Sequence, residues 1–214
     1  MYKSVILTVF FVVLMTVLLS LTACQQSQTT SASFVISSQV YHNQSLPFIA
    51  HVGKGSFANY VAMTINYDAV KPLFLQLQSY LGWQLKHRGE AHITVITPVE
   101  YDKVLKPYLS MQTINSMVTD IQHSQFELVC IGRFEKQMKQ KSEQTYYLVV
   151  KSKDLLQLRQ RIANAFVQAG GQAEDFDVVA FYPHITLGFS AQDMHLSDGA
   201  YKDSRSCAFP LSVQ

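Results

Sequence analysis

Hydrophobic positions along the chain follow two periods, one helical and one of strands. Apolar residues at Val70, Leu73, Phe74, Leu77 and Leu81 keep the spacing of a helix face and predict a helix over 68–81, with Asp68 as N-cap and Gly82 as stop. A second helix is predicted over 154–169, ended by Gly170-Gly171. Runs rich in β-branched and aromatic residues predict strands over 60–66, 91–97, 127–134, 145–150 and 184–189. Pro98 closes the second of these, and a charged turn holding Lys136, Lys139 and Lys141 is expected to join the third and fourth. Residues 100–119 read as helical, with Pro107 kinking or splitting them. Val178 to Phe181 is a short apolar run.

A repeat emerges. Strand 60–66, helix 68–81 and the run His92-Ile93-Thr94-Val95 match strand 145–150, helix 154–169 and the run His184-Ile185-Thr186-Leu187. Side chains alternate along a strand, so His92 and Thr94 share one face while Ile93 and Val95 share the other. The same parity sets His184 and Thr186 against Ile185 and Leu187. If the two units are related by a pseudo-twofold axis, both pairs face one cleft. Two imidazoles across a cleft can serve as general base and general acid near neutral pH. The adjacent hydroxyls can hydrogen-bond anionic oxygens. That set suits displacement at a phosphodiester, whereas two strand histidines that merely pack are the plainer alternative.

These residues are similar to the signature of the 2H phosphoesterase superfamily, the group of 2′-5′ RNA ligase-like proteins and cyclic phosphodiesterases. Its mark is two H-x-(T/S)-x motifs, each in a strand, and here His92 and His184 stand 92 residues apart. The stretch Phe181-Tyr182-Pro183-His184-Ile185-Thr186-Leu187-Gly188-Phe189 resembles the second motif. The first motif departs from the commoner form in its Thr97-Pro98 ending, which leaves the substrate subgroup open. The resemblance, over about residues 57–190, implies an α+β, two-lobed fold of duplicated strand–helix–strand units, with antiparallel sheets lining a central groove. It implies metal-independent cleavage of a cyclic or linear nucleotide or RNA-type phosphodiester, with His92, Thr94, His184 and Thr186 as catalytic residues and no cofactor. Either histidine can then be acid or base according to how the substrate lies.

The front of the chain differs from the rest. Val5 to Leu21 is a 17-residue stretch without a charge, preceded by Lys3 and followed by Leu21-Thr22-Ala23-Cys24. A basic start, a short apolar run and small residues before a cut site describe a secretory signal. The Leu-Thr-Ala-Cys run resembles the lipobox of bacterial lipoproteins, with an uncleaved N-terminal anchor as the alternative. It implies a signal peptide over 1–23, lipidation of Cys24 and anchoring in the cell envelope; Gln25 after the cysteine points to the outer membrane, facing the periplasm. The Gln/Ser/Thr-rich stretch that follows carries no formal charge until Lys54 and reads as a tether over 24–53, with the folded domain over 54–214.

Composition narrows the remaining choices. Hydrophobic residues at 48%, with 11 Tyr and 13 Phe, exclude a mostly disordered chain. A formal net charge of +2 argues against a duplex-DNA binder. Residues 54–161 carry 14 basic and 9 acidic groups, a mild positive field that suits an anionic substrate as well as it suits an ordinary solvated surface. Tyr182 could stack on a base or simply pack beside Pro183, and Arg88, with Lys86, could meet phosphate or lie in a solvated loop. Gly53-Lys54-Gly55-Ser56 is not a P-loop, because Phe48 stands where the first glycine must be. No His/Cys/Asp/Glu cluster has zinc-ligand spacing, and His42, His51, His123 and His195 are expected on the surface. Cys130 lies in an apolar run and is expected to pack as a small hydrophobe, pairing with Cys207 being the other possibility. The partners expected are a nucleotide or oligonucleotide substrate and a membrane, with the chain acting as a monomer. Two other classes stand beside the enzyme: a non-catalytic periplasmic lipoprotein that binds a phosphorylated ligand, and a structural envelope lipoprotein.

Overall fold

The computed structural model describes residues 33–138 and 141–214, so the expected signal peptide and Cys24 lie outside the described residues. In chain order come β1 (Phe34–Ile36), β2 (Val61–Ile65), α1 (Tyr67–Leu81), β3 (Ala91–Ile96), α2 (Pro98–Glu100), α3 (Met111–Met117), β4 (Glu127–Met138), β5 (Lys141–Lys151), α4 (Lys153–Gln168), β6 (His184–Phe189), β7 (Cys207–Phe209) and β8 (Leu211–Val213). β2 and β3 form an antiparallel pair. β6, β5, β4 and β7 form an antiparallel sheet in that order, and β1 pairs parallel with β8. The architecture is α+β, and the units β2–α1–β3 and β5–α4–β6 repeat the same strand–helix–strand sequence.

Local chemistry explains the boundaries. Asn66, not Asp68, caps α1, its side chain accepting from the amide of Asp68 at 3.1 Å, and Gly82 ends the helix at φ 72°. Ser152 caps α4 by accepting from the amide of Leu155 at 3.1 Å. Thr97 and Glu100 make a reciprocal capping box around Pro98, which starts α2. That helix continues as one π-helical turn over Tyr101–Leu105 and stops short of Pro107, so the predicted 100–119 helix is split. β4 and β5 are longer than the apolar runs that predict them. Lys136 and Lys141 stand within the strands rather than in a turn, because cross-strand pairing carries the ladder on to Met138 opposite Lys141. The run at 178–181 forms no regular element.

The tether expected over 24–53 is folded where the structure describes it. Phe34 and Ile36 are buried in the main core, and β1 is zipped to β8. The period-2 signal of three residues is too short to be seen in sequence, and the pairing partner lies at the far end of the chain.

One contiguous core joins the two repeats. The inward faces of α1 and α4 meet Ile93, Val95, Ile185 and Leu187 there. Two further devices hold β3 and β6 together. Lys86 and Phe189 exchange both backbone hydrogen bonds, at 2.8 and 2.9 Å, which ties the approach to β3 onto the end of β6. Gly188 is required at this crossing, since a Cβ there would stand 2.9 Å from the carbonyl oxygen of Lys86. The second device is Arg159 on α4, which is 1% exposed. Its guanidinium donates to the carbonyls of Val95 (2.8 Å), Asp177 (2.9 Å) and Val178 (3.1 Å) and to Glu100 (2.9 Å). The rings of Phe176 and Phe181 lie 4.8 and 4.9 Å from its charged carbon.

Cys130 packs against Tyr147 and Val149, as a residue of that apolar run should, but it is not a free thiol. Its sulfur is bonded to that of Cys207, with the Cα atoms 5.7 Å apart. The pairing follows from register: β7 lies beside β4, with Cys207 opposite Gly132.

Replacing Arg159 by Leu should cost about 3–5 kcal/mol, because it leaves three carbonyls and a carboxylate without their donor. Urea unfolding of the two proteins measures this. Arg159→Lys should recover only part of the loss, since one ammonium cannot reproduce the planar fork. Reducing the disulfide, which closes a 77-residue separation, should lower stability by roughly 2–4 kcal/mol. The same loss should appear in Cys207→Ala.

Candidate active site

β3 and β6 carry the two motifs, and their Cα atoms come within 8 Å of each other. The predicted parity holds in both strands. Ile93, Val95, Ile185 and Leu187 are buried, while His92, Thr94, His184 and Thr186 are half-buried on the opposite faces. Charge on His92 is a minor contribution to lowering the His184 pKa, after burial and the Lys202 charge.

His92 Nδ1 lies 2.7 Å from the carboxylate of Glu90. A carboxylate only accepts, so Nδ1 carries a proton and Nε2 is the nitrogen left for chemistry. Burial alone would raise the Glu90 carboxyl, but the hydrogen bond and charge of His92 outweigh it and hold the group below its ordinary range. Tyr60 lies 6.1 Å from the His92 ring, and His51 stacks on Tyr60 at 4.0 Å. His51 is therefore half-buried beside the first motif and not a free surface histidine. Burial, and then the charge of His92, lower its pKa.

His184 sits in a different setting. Its Nδ1 lies 2.8 Å from the carbonyl of Tyr182, and its Nε2 lies 3.1 Å from Nζ of Lys202. The ring of Tyr147 packs against it in a T-shaped arrangement at 5.8 Å. Burial first, and the Lys202 charge second, push the His184 pKa well below the ordinary histidine value. Lys202 is itself 2% exposed and pairs with Asp193 at 3.0 Å. Asp193 also accepts from Thr186 Oγ1 at 3.2 Å and from Arg88 at 3.1 Å. Burial opposes its charge, but Lys202 more than compensates and holds the carboxyl below its ordinary range.

The structure thus brings His92, Thr94, His184 and Thr186 to the junction of the two sheets. Arg88 stands at the rim, half-exposed and bonded to Asp193. Tyr182 contributes its carbonyl to His184, and its ring packs edge-on against Tyr201 at 5.5 Å. A groove of about 780 Å³ runs beside the second motif, lined by Phe181, Tyr182, Pro183, Lys151 and Lys202 among others, whereas His92, Thr94, His184 and Thr186 all lie outside its lining. Among the described residues, no three His, Cys, Asp or Glu side chains converge as a metal site would require. Glu90, Asp193 and Lys202 are the site residues that sequence reasoning missed. Only Glu90 leaves a local signal, the same parity as His92 two residues on.

The family model described as "Swiss Army Knife, 2H phosphoesterase domain" matches residues 59–195, which include both motifs, Glu90 and Asp193. No curated protein and no solved structure matches the chain. With duplicated strand–helix–strand units, paired His-x-Thr strands and a family match spanning well over half its length, this chain belongs to the 2H phosphoesterase superfamily.

Proposed function

We propose that the protein is a phosphodiesterase that cleaves a cyclic or linear nucleotide or RNA-type phosphodiester by two-histidine acid–base catalysis, without a metal. Family membership supports phosphodiesterase-type activity at the coarse level. The observation that carries the finer reading is the commitment of both Nδ1 atoms to protein acceptors, Glu90 at one ring and the Tyr182 carbonyl at the other. Each Nε2 is thereby the nitrogen left for proton transfer, although that of His184 is met by Lys202 at 3.1 Å until the substrate or water takes its place. A neutral ring takes a proton from water or a ribose hydroxyl as the oxygen attacks phosphorus. The other ring, protonated, gives its proton to the leaving oxygen. Thr94 donates to a non-bridging oxygen as negative charge develops, Thr186 does so once its hydroxyl turns from Asp193, and Arg88 meets phosphate from the rim. The Tyr182 ring borders the groove, where a base could lie against it.

We infer further that the chain is a lipoprotein attached through Cys24 to the bacterial outer membrane on its periplasmic side, and that it acts as a monomer. Two features support this: the Leu21-Thr22-Ala23-Cys24 run and the Cys130–Cys207 bond, of a kind that persists in oxidising compartments. A second reading, a module that binds a phosphorylated ligand without turning it over, draws support from the cations Lys202 and Arg88 around the second motif.

A screen against 2′,3′-cyclic nucleotides and linear phosphodiesters tests the enzyme. His92→Ala and His184→Ala should each lose about 10²–10⁴-fold in kcat on the best substrate. The double variant should lose little more than the worse single one, since the pair acts as a unit. Thr94→Val and Thr186→Val should slow turnover while leaving the unfolding midpoint near that of the native chain, and chelators should change nothing. Tight binding of phosphodiesters with no turnover, indifferent to His184→Ala, would favour the binding module. Separately, Cys24→Ala should abolish acyl labelling and leave an uncleaved precursor; unchanged labelling would place the attachment elsewhere.

A further inference from the structure

Lys202 belongs to neither motif and lies beyond the residues that the family model matches. It nevertheless sits deeper in the site than either histidine. Lysines are almost never buried to 2% exposure unless paired, and here both partners belong to the catalytic neighbourhood. Asp193 keeps the proton on the amine, and an ammonium group has no lone pair. At 3.1 Å it can only donate, so the Nε2 atom it meets must be unprotonated. The opposite ring nitrogen faces a carbonyl at 2.8 Å and must be the donor. These two contacts select a single neutral tautomer of His184. At His92 the neighbour is an anion instead of a cation, the Glu90 carboxylate 2.7 Å from Nδ1.

We propose that Lys202 is a positioning residue that holds His184 as the general base of the pair and leaves His92, backed by Glu90, as the acid. The assignment rests on the phosphodiesterase reading above. The groups facing His184 are Lys202 and Asp193 from the C-terminal arm, residues 190–214 after β6, Tyr147 from β5 and His92 from β3, with Arg88 and His195 acting on it through Asp193. Burial and Lys202 together lower its pKa well below the usual value, His92 adds to this, and Asp193 opposes it. Burial lowers the Lys202 pKa as well, and the charge and hydrogen bond of Asp193 oppose that shift.

In the reaction, water displaces the ammonium from Nε2. It gives a proton there as its oxygen bonds to phosphorus. The bond from phosphorus to the leaving oxygen breaks, and that oxygen takes the proton from Nε2 of His92. A phosphomonoester and an alcohol are released, with His184 now protonated and His92 neutral, and proton exchange with solvent resets both rings. The arm that carries Lys202 is held on this face by the Cys130–Cys207 bond. Cys130, Val149 and His184 lie in register across β4, β5 and β6.

The test uses the full chain, ¹⁵N-labelled and kept in solution with a mild detergent, first without substrate. Imidazole nitrogen spectra should show His184 neutral at pH 7, protonated on Nδ1, and titrating well below the ordinary histidine range. In Lys202→Met its titration should move upward. With a 2′,3′-cyclic nucleotide as substrate, the acid limb of kcat/KM reports the base, which must be deprotonated to work. Removing the cation raises the base pKa, so Lys202→Met should shift that limb to higher pH and lose activity first on the acid side. A His184 ring protonated at pH 7, or a titration and limb unmoved by Lys202→Met, would overturn the proposal. The wild-type spectra decide the tautomer even if the variant fails to fold. They also do so if the wild type turns over no phosphodiester, in which case the catalytic reading falls while the Lys202–His184 pairing is judged on its own.

Discussion

The guanidinium of Arg159 is a fixed point for both motif strands. It holds the carbonyl of Val95, one residue past Thr94, and the carbonyls of Asp177 and Val178, at the start of the segment that leads into His184. A buried arginine is costly to desolvate, and it remains here because its forked donors are met by three carbonyls and a carboxylate. The rings of Phe176 and Phe181 pack over the guanidinium at 4.8 and 4.9 Å. The spacing of the two histidines therefore depends on a residue that touches neither of them.

The two halves of the site differ although the units that build them repeat. On β3 the histidine leans on a carboxylate two residues away and opens toward Tyr60 and His51. On β6 it is walled by Tyr147 and capped by a lysine from a segment that has no counterpart in the first unit. Repetition supplies the framework of strands and the matched parity. The C-terminal arm, bonded to β4 through Cys207, then breaks the symmetry, and broken symmetry is what separate acid and base roles need.

Much of this was legible in the chain itself, for identifiable reasons. α1 and α4 announce themselves because five or more apolar positions repeat at helical spacing, and their glycine and polar ends are local signals. The motif strands are legible because parity decides which residues face the core, and Ile93, Val95, Ile185 and Leu187 are all buried. Elements stabilised from a distance were hidden. β1 and β8 have three residues each and exist only through one another. The outer halves of β4 and β5 are polar ribbons kept straight by cross-strand pairing, and composition alone reads them as a turn. Lys202 looks like any surface lysine between Tyr201 and Asp203 until Asp193 is placed beside it. The disulfide depends on β7 lying against β4, which no spacing rule reveals.

The β1–β8 pairing has a mechanical side. Phe34, Val35 and Ile36 run parallel to Leu211, Ser212 and Val213, and the backbone of Gln214 is bonded to both Ile36 and Ser38. Freeing Phe34 from its neighbours means breaking the interstrand bonds to β8. The buried side chains of Phe34 and Ile36 must be dragged from the core in the same event. A disturbance arriving through the residues before Phe34 meets this clasp before it reaches β2 in chain order.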